Sequence, residues 1–195
     1  IWVDYEDIPQ DLINAAIAAE DRRFKLHQGV DWLSTAKATV GYFFSDETRG
    51  GSTITQQLIK NITGEKEFGV ERKIKEIFRA LSLEKTSSKE QIMEAYLNSI
   101  HMGWNTDGVQ AAANLYFGKD VSELSLAECA GLIAITQNPS KRELFNHMDN
   151  NTERREWILG MMLSEGYISE SEYKQAMRER IQVVTYDNSE QTRQV

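Results

Sequence analysis

Only two prolines, Pro9 and Pro139, occur in 195 residues, and apolar side chains recur at helical spacing along almost the whole chain. Proline is the residue that most surely ends a helix, so its scarcity leaves room for long ones. From Asp11 to Phe24 the residues Ile13, Ala16, Ile17 and Phe24 share one face. From Glu71 to Lys85 the same holds for Ile74, Ile77, Phe78 and Leu81. Further helices are expected over 53–61, 89–98, 108–117, 125–136, 152–165 and 169–181. Their ends are written locally. Ser87–Glu90, Ser125–Glu128 and Ser169–Glu172 read as capping boxes, in which side chains satisfy the first free N–H groups. Gly118 and Gly166 stand where a helix needs a left-handed stop. Strand signals are weak and confined to Ile1–Tyr5 and Gln182–Tyr186. The expectation is a mainly α domain over 1–184, followed by a polar, aperiodic linker over 185–195.

Charge narrows the partners. The net charge of −8 argues against nucleic acid. Between Arg49 and Glu90, however, nine bases oppose six acids, a local excess of +3 that suits a small anionic ligand such as a phosphate. The single cysteine, Cys129, cannot form an intramolecular disulfide and sits in an apolar run, where a buried, inert thiol is expected. No stretch of about 18 apolar residues is present.

Three polar constellations interrupt the pattern. The first is Glu20-Asp21-Arg22-Arg23-Phe24-Lys25-Leu26-His27-Gln28-Gly29, where Glu20 extends the apolar face of Ile13, Ala16 and Ile17. A carboxylate there must be paired or protonated. That suits a general acid or base, and equally a bridging carboxylate partnered by Arg23 or His27. The second runs from Gly50-Gly51-Ser52-Thr53-Ile54-Thr55 to Gln56-Gln57-Leu58-Ile59-Lys60-Asn61. Its glycines admit close backbone approach, and its hydroxyls open a helix, which fits a phosphate cradle. Gln56, Gln57 and Lys60 share a face. The same residues fit an ordinary capped helix with a solvated lysine. The third is Arg72-Lys73-Ile74-Lys75-Glu76, readable as surface ion pairs or as a second reactive carboxylate among diphosphate-binding bases. Glu84 and Glu94 are weaker candidates of that type. No Cys/His spacing suits a metal, and no Ser-His-Asp signature occurs.

Taken in order, these blocks resemble glycosyltransferase family 51. That family comprises monofunctional peptidoglycan glycosyltransferases and the first domain of class A penicillin-binding proteins. Two further blocks, Gln91-Ile92-Met93-Glu94-Ala95-Tyr96-Leu97-Asn98 and Gly108-Val109-Gln110-Ala111-Ala112-Ala113-Asn114-Leu115-Tyr116-Phe117-Gly118-Lys119, extend the resemblance to roughly residues 5 to 180. It implies a lysozyme-like fold with a larger head and a smaller, membrane-contacting jaw. The run containing Trp32, Leu33, Val40, Tyr42, Phe43 and Phe44 fits that jaw, since Trp and Tyr favour the membrane interface.

The resemblance also implies a reaction. A lipid-linked glycan is the donor and lipid II the acceptor. An inverting transfer forms a β-1,4 bond and releases polyprenyl diphosphate. Glu20 matches the general base and Glu76 the second essential carboxylate. Lys60, Arg72, Lys73 and Lys75 match the bases around the diphosphate, with Ser52, Thr53, Gln56, Gln57 and Asn61 as hydrogen-bonding neighbours. Asp21, Arg23 and Phe24 match the residues beside the base. No cofactor is required, although magnesium or manganese would suit the diphosphate. Implied partners are lipid II, the growing glycan, the outer face of the bacterial cytoplasmic membrane and a moenomycin-type inhibitor at the donor site. A membrane-spanning tether preceding the domain is also implied.

The chain departs from the family pattern at Phe68 and Lys37, where arginine is frequent, and at Phe145-Asn146-His147, where Tyr-Asn-Pro is usual. No transpeptidase motif is present, so no penicillin-binding activity follows. The competing readings are a lysozyme-like hydrolase or lytic transglycosylase, and a catalytically silent scaffold. A hydrolase has no use for diphosphate-binding bases, and a silent scaffold would be expected to lack Glu20 or Lys60.

Overall fold

The computed structural model describes residues 1–35, 51–64 and 69–184. The expectations at Lys37, Val40, Tyr42, Phe43, Phe44 and Phe68, and the linker over 185–195, lie outside the described residues.

A 3-10 turn at Tyr5–Asp7 leads into α1 (Gln10–Glu20), α2 (Ile54–Thr63), α3 (Val70–Thr86), α4 (Lys89–Ser99) and α5 (Val109–Phe117). After a second 3-10 turn at Val121–Glu123 come α6 (Leu126–Thr136), the single-turn α7 (Pro139–Arg142), α8 (Met148–Ser164) and α9 (Glu170–Arg178). A helical turn over 32–35 lies between α1 and α2. The described residues contain no strand, only an isolated bridge between His101 and Asp107. The described parts of the two ends expected as weak strands make isolated hydrogen bonds instead of a ladder. Val3 pairs with the Asn98 side chain at 2.9 and 2.8 Å, and Val184 N–H donates to Tyr116 O at 2.8 Å.

Helix α6 is the centre. Residues 127 to 135 are all buried, as a helix apolar on every side must be. It packs on α1 and α8, which also meet each other. A Cβ at Gly131 would lie 2.8 Å from Ile181 Cδ1, so any larger residue there would push the end of that side chain aside. Asn151, fully buried on α8, donates through its amide nitrogen to Gly131 O and Arg142 O at 2.9 and 2.8 Å, which ties α8 to α6 and α7, while its Oδ1 has no hydrogen-bond partner. Cys129 is buried here, and burial pushes its thiol well above the ordinary range, in keeping with an inert residue.

A second group, α2 with α3 and α4, carries most of the polar constellations. Helix α3 buries only Glu76 and Ala80 of its 17 residues. Ile74 and Phe78, on its apolar face, are 49% and 68% exposed.

Local signals shifted slightly. Asp21 leaves helical geometry (φ −156°, ψ 75°), so α1 stops at Glu20 and Phe24 reaches the core from the turn beyond. Ser88 and Gln91 form the capping box of α4, one residue on from the expected pair. The boxes at Ser125–Glu128 and Ser169–Glu172 are as expected. Helix α8 starts at Met148, four residues earlier than its period suggested.

Candidate active site

Glu20 is the last residue of α1 and half-buried. A carboxylate at a helix C-terminus faces the negative end of the helix dipole, so donors must come from elsewhere. Gln57 Nε2 donates to Oε2 at 3.0 Å, and Thr136 Oγ1 lies 3.3 Å from Oε1. Arg23 and His27 are not its partners. Arg23 Nε lies 3.2 Å from Asp31, an ion pair with poor hydrogen-bond alignment. His27 Nε2 lies 2.8 Å from Asp21 Oδ2, while its Nδ1 accepts the Gly29 N–H at 3.1 Å. An accepting Nδ1 requires the tautomer with the proton on Nε2, so His27 donates to Asp21.

Asp21 is buried, and the same Oδ2 accepts the Ile54 N–H at 3.0 Å. The first N–H groups of a helix have no partner inside it. Asp21 therefore supplies a tertiary cap to α2. Thr53 and Gln56 complete a capping box: Thr53 Oγ1 accepts Gln56 N–H at 3.1 Å, and Gln56 Oε1 accepts Thr53 N–H at 2.9 Å. The Thr53 hydroxyl donates to Gly29 O at 2.7 Å and the Thr55 hydroxyl to Glu84 at 2.6 Å. Gly29 has φ +92°, and a Cβ would meet Ala80 O at 2.7 Å, so only glycine lets this loop seat against α3. The hydroxyl-rich start of α2 is thus largely committed to holding itself and its neighbours.

Ser52 differs. Its Oγ accepts from Lys73 Nζ at 2.9 Å, which leaves its own proton available. Lys73 also reaches Glu76, and Arg72 Nη1 lies 2.7 Å from the other oxygen of Glu76. Glu76 is 4% exposed, and two cations compensate its charge. Thus the segment from Ser52 to Gln57 connects the two carboxylates. One end leads through Lys73 to Glu76, and the other, through Gln57, meets Glu20.

The remaining expected residues are placed as follows. Lys60 and Asn61 are exposed on α2, and among the described residues Lys60 makes no side-chain hydrogen bond or ion pair. Lys75 pairs with Glu71 at 2.7 Å on the outer side of α3, where both side chains are largely exposed. Phe24 is buried, with the Lys89 ammonium 4.4 Å from its ring centroid. Gln56 is buried in its cap. Glu84 is engaged by Thr55 and Lys89, and Glu94 by Trp2 Nε1 and Tyr5 N–H at 2.9 and 3.0 Å, so both have structural tasks. Two residues at Glu20 that motif spacing does not place there are Thr136, from α6, and Tyr96, whose hydroxyl lies 3.3 Å from Gln57 Oε1.

The buried Asp31 carboxyl is displaced in a definite direction. Burial alone would raise it, but the Ser34 hydroxyl and N–H, with Arg23 and His27, outweigh that and hold it below the ordinary carboxylate range.

The transglycosylase family profile matches residues 1–163. The chain belongs to that family. It is 44% identical over 183 residues to penicillin-binding protein 1A of Aquifex aeolicus, covering 93% of this chain and 25% of that protein. It is 41% identical over 182 residues to penicillin-binding protein 1A of Escherichia coli, covering 93% and 21%. The crystal structure of penicillin-binding protein 1A from Haemophilus influenzae superposes with a TM-score of 0.59 at 27% identity, covering 94% of this chain and 18% of that one. The chain spans about a quarter or less of the length of these relatives. The domain is a transglycosylase by family, with a mainly helical, lysozyme-like fold. Among the described residues no helix is long and apolar enough to cross a membrane.

Proposed function

We propose that this transglycosylase domain polymerises lipid II, with Glu20 as the base and Glu76 among the cations on the donor side. The observation that carries this reading is the double attachment of the Ser52–Gln57 segment, to Glu76 through Lys73 and to Glu20 through Gln57. In the reaction, Glu20 takes the proton of the acceptor's 4-hydroxyl as that oxygen bonds C1 of the donor. The C1–O bond to the diphosphate breaks on the opposite face, so an α linkage becomes β. Lys73, Arg72 and the exposed Lys60, with the Ser52 hydroxyl, would stabilise charge gathering on the departing diphosphate. The same positive surface would hold a moenomycin-type inhibitor. No cofactor is called for, although a divalent cation would add to the charge around the diphosphate. A hydrolase reading is less well supported, because a hydrolase has no departing diphosphate to stabilise.

Trp32 and Leu33, on the helical turn over 32–35, are 60% and 46% exposed, which supports contact with the outer leaflet where the substrate's lipid resides. The test is incubation with lipid II. Long, lysozyme-sensitive polymer is expected. Shortened glycan from preformed strands, without polymer, would replace this reading with a lytic one.

A further inference from the structure

The two oxygens of Glu20 have different neighbours. Oε2 accepts from Gln57 Nε2, and Gln57 Oε1 in turn accepts the Tyr96 hydroxyl. Tyr96, on α4, is 1% exposed. Burial, then the nearby Glu20 and Asp21 carboxylates, push its hydroxyl far above its ordinary range, so at neutral pH it stays an O–H donor. Between a donor and a carboxylate the Gln57 amide has one satisfactory orientation. Turned over, its oxygen would face Glu20.

Oε1 faces Thr136 Oγ1, at the end of α6. That hydroxyl lies 3.3 Å from Glu20 Oε1 and 2.9 Å from Ile133 O. It has one proton and two acceptors, so it cannot serve both at once. With the proton turned to Glu20, it stabilises the carboxylate. With the proton turned to Ile133 O, it offers Oε1 a lone pair, which is favourable only when Oε1 carries a proton.

We infer that Gln57, oriented by Tyr96, and Thr136 are positioning residues that hold Glu20 in both of its protonation states. The inference rests on Glu20 being the base. As the carboxylate, Glu20 accepts from Gln57 at Oε2 and from Thr136 at Oε1. When the acceptor's hydroxyl gives up its proton, the new O–H of Glu20 donates to Thr136 Oγ1, whose own proton turns to Ile133 O. The carboxyl group stays in place while the new bond to C1 forms and the diphosphate leaves with the electron pair of the broken bond. Loss of the proton to water restores the carboxylate. Gln57 is thereby assigned to the base rather than to the substrate.

The test uses this chain and lipid II. Thr136→Val removes the hydroxyl and keeps the shape. It should lower kcat roughly ten- to a hundred-fold, within the range a positioned proton-transfer group contributes, with KM little changed. Its thermal midpoint should stay close to wild type, and Thr136→Ser should recover most of the rate. Wild-type turnover in Thr136→Val would overturn the role of Thr136.

A second measurement needs no substrate. In the 15N-labelled chain, the Gln57 side-chain amide signals are identified by their loss in Gln57→Leu. They should shift in Tyr96→Phe and again in Glu20→Gln. Signals that ignore both substitutions would overturn the role of Gln57. If the signals respond but the wild type makes no polymer, the placement of Gln57 stands and the assigned reaction fails.

Discussion

Asp21 Oδ2 lies 3.0 Å from the Ile54 nitrogen, so the carboxylate next to Glu20 caps the helix that carries Gln57. The same oxygen accepts the His27 Nε2–H at 2.8 Å. One buried atom therefore sets the distance between the end of α1 and the start of α2, across which Gln57 reaches Glu20.

Replacing Asp21 by Ala would leave the buried His27 and the Ile54 N–H without their acceptor. Each unsatisfied buried donor costs about 1–3 kcal/mol, so urea unfolding should show at least that loss. Turnover per folded molecule should fall as well, because α2 loses its tie to Glu20. An unaltered urea midpoint would contradict the capping role.

Glu20→Gln keeps size and can still bond Thr136. It should fold with a normal helical circular dichroism spectrum and lose on the order of 10²-fold or more of polymerisation, the scale of losing a general base. Near-normal polymer yield would remove Glu20 from that role.

Lys60→Ala and Glu76→Gln should separate function from folding. Lys60 is exposed and makes no described side-chain bond, so its loss should change stability by no more than about 0.5 kcal/mol while strongly impairing polymerisation. Glu76 is buried between Arg72 and Lys73, so Gln there should lower both stability and activity. Calorimetry beside the lipid II assay distinguishes the two patterns. A large loss of stability in Lys60→Ala would mean a structural role for the lysine.

Asp31 gives a pH dependence. Its carboxyl is held below the ordinary range, so its contribution is complete above the unfolded value, near about 3.9, and is lost as pH falls through the lower folded value. Asp31→Asn should therefore be less stable than wild type at pH 7. The gap should narrow only under strongly acidic conditions. A gap that is constant from pH 7 down to acid unfolding would show that the charge of Asp31 contributes nothing.

The paired change Trp32→Ser, Leu33→Ser removes exposed apolar surface. Liposome binding should weaken and polymerisation of membrane-embedded lipid II should slow, while a short-chain soluble analogue is used normally. Unchanged liposome binding by the folded variant would remove both residues from the membrane contact.

The helices were legible in the sequence because their determinants are local. Caps such as Ser125–Glu128 act within four residues, and apolar period depends only on neighbours one turn away. The order of the Glu20, Gly-Gly-Ser and Arg72–Glu76 blocks was also sufficient to point to the family. What local signals leave open is decided by distant residues. Asp21 ends α1 early because its side chain is drawn to Ile54 and His27. Ile74 and Phe78 have a helical period whichever way the helix faces, and only packing leaves them exposed.

The sequence by itself determined the helical class, the caps and the set of charged residues that face one another within a turn, such as Arg72 and Glu76. Tertiary structure alone decided what surrounds Glu20. Thr136 is 116 positions away and Tyr96, through Gln57, meets it from a third helix. A hydrogen bond requires its partners within about 3 Å, and spacing along a chain fixes such distances only inside one element. Between elements they are set by how α1, α2, α4 and α6 pack.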